Sequence, residues 1–199
     1  MILKLIFILS SVFFSCTPHS GTCINRSLSD TTFVYWENLT ENQRNVILNS
    51  ENVSKEAIEF YKGKLKIGDN GQTTALLNKL TSASNKDEMA PFYFFLFNQV
   101  CIKADGALSE MLGDYCQKIV LSSPAYVVNY FSRNESILKK YAQYLGYELY
   151  FKEEGTSTIK YSYSDFKKIL SEKLTNTEQY KDVITLFYNE IDRAMKNMD

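Results

Sequence analysis

Apolar residues recur at three- and four-residue spacing through most of the chain from Thr40 onward, interrupted by short polar turns. That periodicity predicts helices rather than strands. Polar residues mark where each helix starts. Thr40-Glu-Asn-Gln43 is a capping box ahead of Val46-Ile47-Leu48. Ser54 can cap a helix carrying Ala57, Ile58, Phe60 and Tyr61. Asp69-Asn-Gly-Gln72 opens a helix with Ala75, Leu76, Leu77 and Leu80 on one side. Pro91 suits the first turn of the next, Phe92 to about Ala104. Asp105-Gly106 breaks it, and Leu108, Met111, Leu112, Tyr115, Cys116, Ile119 and Val120 then form a continuous stripe. Ser123-Pro124 reads as an N-cap followed by proline at the first helical position, opening a helix through Phe131. A long helix is expected from Glu135 to Glu153, with a loop at Gly155–Thr158. Ser164 is the expected cap for Asp165 to Leu174, and Thr175-Asn-Thr-Glu178 the capping box of a last helix ending near Met195.

The pattern predicts an all-α fold of eight or nine helices, an irregular multi-helix bundle or a set of stacked helical hairpins. Eight Gly, three Pro and 45% apolar residues suit a well-packed helical domain. Thr158–Tyr163 alternates like a strand but stands alone. No repeat of fixed period points to a solenoid.

The N-terminus reads differently. Met1–Cys16 holds one charge, Lys4, then an apolar run through Phe14, then Ser15 before a cysteine. This is the layout of a signal peptide, with an apolar core well below the roughly 20 residues a spanning helix needs. The Ser15-Cys16 ending resembles the lipobox of bacterial lipoproteins, and Phe13, where that family usually has Leu or Val, resembles the looser form found in Bacteroidetes. The resemblance implies cleavage before Cys16, lipidation of its thiol, and a membrane anchor there. Cleavage by the general signal peptidase, releasing a soluble protein, is the alternative. Expected boundaries are therefore residues 1–15 for the signal peptide, 16–33 for the lipidated cysteine with a polar tether, and 34–199 for one all-α domain. Asp30-Thr-Thr32 resembles the O-glycosylation motif of exported Bacteroidetes proteins. The acidic cluster that resembles a surface-export signal is absent after Cys16, which points to the periplasmic face of the outer membrane.

Charge and composition remove several functions. A formal net charge of −1 gives no reason to expect a nucleic-acid partner. The single histidine, His19, falls in the tether, so the domain itself has none to serve Ser-His-Asp or Cys-His catalysis or a His-based metal site. Cys101 and Cys116 flank a turn unequally, about four residues before it and ten after. At 1.5 Å per residue the mismatch is roughly 9 Å, too much for a disulfide, so both are expected as buried free thiols. Cys23 lies near the tether, and neither a metal nor an organic cofactor is expected.

Four features remain as candidate chemistry. Phe92-Tyr-Phe-Phe-Leu-Phe97 is the most apolar run of the domain and reads as a central core helix. Tyr141, Tyr144, Tyr147 and Tyr150 recur every three residues. They read either as a core rim or, if exposed, as the candidate surface for a partner. Ala104–Glu110 resembles the helix joints of TerB-like domains, whose acidic turns can approach a metal. Asp105 and Glu110 alone fall short of the roughly six oxygens calcium takes. The expected reading is a plain hairpin in which Asp105-Gly106 reverses the chain and Ser109 and Glu110 cap the next helix. Carboxylate pairs at Glu153-Glu154, Asp87-Glu88 and Glu190/Asp192 lack the defined separation a glycosidase needs.

No catalytic motif emerges, and the expectation is a non-enzymatic, lipid-anchored helical module that binds another protein. One version is an immunity protein that neutralises a toxin. The alternatives are an envelope glycan-binding protein or carboxylate-dependent enzyme, and a structural envelope lipoprotein.

Overall fold

The computed structural model describes residues 33–82, 88–155, 159–174 and 177–198. Among them are nine helices of seven residues or more, one five-residue turn of helix, one short 3-10 turn at Trp36–Asn38, and no strand. The fold is an all-α multi-helix bundle. In chain order the helices are α1 (Glu41–Leu48), α2 (Lys55–Tyr61), α3 (Gly71–Ser82), α4 (Ala90–Lys103) and α5 (Gly106–Glu110). They continue with α6 (Leu112–Ser122), α7 (Pro124–Phe131), α8 (Glu135–Glu153), α9 (Tyr163–Lys173) and α10 (Thr177–Lys196).

Most starts obey the expected capping chemistry. Thr40 and Gln43 satisfy each other's backbone at α1 in a complete capping box, and Ser54 accepts from the Ala57 N–H at α2. Asn70 accepts from Thr73 N–H to open α3. Proline begins α4 and α7 as expected, but Ser123 makes no side-chain cap bond. The cap of α9 is Ser162 rather than Ser164, because Ser162 is extended and its hydroxyl accepts from Asp165 N–H at 3.2 Å. Ser164 lies inside the helix, two residues too late. The expected capping box at Thr175 lies outside the described residues.

Two further expectations change. The single stripe from Leu108 to Val120 is cut at Met111 into α5 and α6. Ser109 bonds back to the Gly106 carbonyl and caps nothing, and Met111 stands at the start of α6 without a cap bond. The strand-like stretch before Tyr163 pairs with a side chain instead of a strand. The Gln117 amide donates to the Tyr161 carbonyl at 3.2 Å and accepts its N–H at 3.3 Å, while Ile159 is buried. One glutamine thus satisfies the backbone that a neighbouring strand would otherwise have to meet.

Helix α8 is the spine, packed along α10 on one side and α6 on another. Both packings are close because of glycines. A Cβ on Gly113 of α6 would sit 2.1 Å from Glu148 Cγ and 2.6 Å from the Tyr144 carbonyl oxygen. A Cβ on Gly146 of α8 would sit 2.5 Å from Ala194 Cβ and 2.9 Å from the Ile191 carbonyl oxygen. Around this centre, α4 contributes buried Phe92, Tyr93, Phe94, Leu96 and Phe97, the central core helix the apolar run predicted. One contiguous core runs from Tyr35 to Ile191.

Buried tyrosines tie the helices with hydroxyl bonds. Tyr141 donates to Asn98 Oδ1 and Tyr144 to the Cys101 carbonyl, each at 2.8 Å, joining α8 to α4. Tyr126 donates to the Val34 carbonyl at 3.0 Å, and Tyr130 to Glu37 Oε1 at 2.8 Å, pinning the N-terminal segment to α7. Burial is the largest cause holding the hydroxyls of Tyr126, Tyr130, Tyr141 and Tyr144 above the ordinary tyrosine value. Tyr188 is pushed up to about 12 for the same reason.

Replacing Gly113 or Gly146 by alanine is expected to lower stability by about 1–3 kcal/mol in denaturant titration, because backbone on the facing helix cannot yield. This runs against the roughly 1 kcal/mol that alanine gains over glycine inside a helix. The tyrosines predict alkaline sensitivity. Above about pH 10 the unfolded chain has lost protons that the native state still holds. The denaturation midpoint should therefore hold level up to about pH 10 and fall beyond it.

Candidate functional site

The tyrosine row winds rather than facing one way. Steps of three fall about 60° short of a full turn, so four members sweep about half the helix circumference. Tyr141 and Tyr144 consequently point inward, 0% and 3% exposed. They cannot meet a partner, which corrects that half of the expected surface. Tyr147 and Tyr150 reach the rim, half-buried, and flank Phe151 with ring centroids at 4.8 and 5.5 Å. Partial burial, then the Glu110 and Glu148 carboxylates, raise the Tyr147 hydroxyl. The last two turns of α8 thus carry an aromatic edge of three rings.

A second feature was not legible in the sequence. Phe33, Val34 and Leu39, with Gln43, Val46 and Ile47 of α1, Glu88, Ala90 and Pro91 of α4, and Tyr126 of α7, line an open groove of about 560 Å³. Phe33 meets the Tyr126 ring edge-on at 5.6 Å. Gln43 is held by the α1 capping box, and Arg44 donates to the carbonyls of Trp36 and Glu37 at 3.2 and 2.9 Å. Gln43 and Arg44 are therefore already engaged, Glu88 is the one charged group in the lining, and the groove walls are mostly hydrocarbon. Val34 and Val46 stand at its edge, 51% and 73% exposed. The available signal was Val46-Ile47-Leu48 in a helix of eight residues, where three consecutive apolar positions cannot all face inward.

The carboxylate pairs are not brought together across a cleft among the described residues. Glu153 and Glu154 are both exposed. Glu190 pairs with Arg193 at 3.1 Å, and Asp192 adds to burial in raising the Tyr163 hydroxyl, which donates to the Tyr188 carbonyl at 3.3 Å. Asp87 lies outside the described residues. Asp105 starts α5 without a side-chain cap bond, and no group of three or more His, Cys, Asp or Glu among the described residues is placed to hold a metal. Cys16, His19 and Cys23 lie outside the described residues. None of the described helices is long and apolar enough to cross a membrane.

Cys101 and Cys116 are free and buried. They lie closer than the sequence arithmetic allowed, near enough for each thiol to feel the other. The reason is α5, which absorbs the residues after the turn. Cys101 stands two residues before the end of α4 and Cys116 four after the start of α6, leaving a mismatch of only about 3 Å. Burial, more than the neighbouring Cys101, pushes the Cys116 thiol up. Peptide mapping after thiol alkylation is expected to find both unmodified in the native protein and both modified after denaturation.

The sequence matches no protein-family model, no curated protein and no solved structure.

Proposed function

We propose that this chain is a lipid-anchored binding module of the bacterial cell envelope, held by lipid on Cys16 and presenting a helical face to another protein. The observation that carries the reading is the edge formed by Tyr147, Tyr150 and Phe151 on α8. Rim aromatics of this kind are enriched among interface hot spots, since a rigid ring covers much area at little conformational cost. The Met1–Cys16 layout supports the anchor, and the missing acidic cluster after Cys16 favours the periplasmic face of the outer membrane. In the specific version, the partner is a toxin delivered into the periplasm, which this domain neutralises by covering its working surface.

The test has two parts. Cys16→Ala is expected to abolish incorporation of labelled fatty acid, and labelled mutant protein would refute the anchor. Tagged protein recovered from its host's membranes is expected to bring down one partner at near-equal stoichiometry. Tyr147→Ala with Tyr150→Ala should weaken that capture about tenfold or more, with the melting temperature little changed. Undiminished capture by the double variant would remove the α8 edge as the binding face.

A further inference from the structure

Val34 and Val46 are large apolar side chains left standing in solvent, on the rim of the groove they share with Phe33, Leu39, Ile47 and Pro91. The described polypeptide begins at Phe33, in the wall of that groove. The chain leading back to Cys16 therefore joins the described residues in the wall of that groove. Sixteen residues separate Cys16 from Phe33. However they are arranged, they span at most about 60 Å. A lipid at Cys16 bounds the distance of this face from the bilayer directly, whereas the opposite face adds the width of the domain.

We infer that the groove face is a membrane-docking surface, resting Val34 and Val46 on the bilayer that holds the anchor. The inference depends on the lipid-anchored reading above. Glu88 is the one charged residue among those lining the groove, and no cation is among them. Attraction to anionic headgroups is thus not the driving force, and the contact is made by the exposed hydrocarbon of Val34 and Val46. So few apolar side chains would not hold a free domain on a membrane. Tethering changes this, because an anchored domain meets the surface at high effective concentration and a weak contact becomes populated. The arrangement also gives the domain an orientation, with the groove face toward the lipid.

The experiment uses the full-length lipidated protein in vesicles of phosphatidylethanolamine and phosphatidylcholine, with anchoring read first by flotation. Val46→Trp places a reporter on the patch, and Lys168→Trp, at an exposed position of α9, is the control. Buried Trp36 contributes the same background to both. In floated protein, V46W emission is expected to shift to the blue and to be quenched about twofold or more above K168W by lipids brominated along their acyl chains. Adding Val34→Asp should return that quenching to the control level without loss of flotation. Floated V46W quenched no more than K168W overturns the docking surface while the anchor stands. Emission that responds only to an added soluble protein assigns the groove to a protein partner and also overturns it. Protein that fails to float refutes the anchor, and the docking surface falls with it.

Discussion

The close approach of α8 to its two neighbours is the constraint on which the rest of the bundle depends. Gly113 lets α6 come against Glu148 and the backbone of Tyr144, and Gly146 lets α10 come against α8 at Ile191 and Ala194. At these separations a single methyl group has nowhere to go, since the nearest atoms include carbonyl oxygens held in helices. Interiors packed this tightly transmit small displacements instead of absorbing them. The position of α8 then sets where its tyrosines fall. Tyr144 reaches the carbonyl of Cys101 and Tyr141 reaches Asn98, so α4 is drawn in by two hydroxyl bonds placed by the spine.

Tyrosine serves here mainly as a joining residue. Each ring fills apolar volume while its hydroxyl satisfies a carbonyl, an amide or a carboxylate on another element, as Tyr126 does for Val34 and Tyr130 for Glu37. Such bonds contribute about 1 kcal/mol each when made, but leaving either partner buried and unmet costs more. They therefore specify which helix sits where, beyond the stability they add. The one described stretch that resembles a strand follows the same rule, with Gln117 standing in for a neighbouring backbone.

The two faces left over have different chemistry. The edge at Tyr147, Tyr150 and Phe151 is aromatic and amphipathic, suited to a protein surface. The groove beside Val34 and Val46 is mostly apolar with one carboxylate, Glu88, and lies where the described N-terminal segment joins the bundle. On the proposed reading the two functions fall on separate surfaces, so that docking on lipid leaves the partner face open.

Local chemistry alone determined the helices, because capping and 3.6-residue periodicity involve neighbours in the chain. The capping box at Thr40, the span Glu135–Glu153 and the core role of Phe92–Phe97 were all legible in this way. The Met1–Cys16 layout and the lack of histidine in the domain are likewise properties of sequence. Choices between nearly equivalent local options were decided by tertiary structure. Ser162 and Ser164 can both cap, and packing of Phe166 and Leu170 into the core accompanies the earlier start. Which half of the tyrosine row is covered depends on the rotation of α8 against α4 and α6, and spacing alone does not reveal it. The meeting of Cys101 with Cys116 depends on how many residues the α5 turn takes up. The groove is the extreme case, assembled from Phe33, α1, α4 and α7, segments far apart in sequence that only the folded chain brings together.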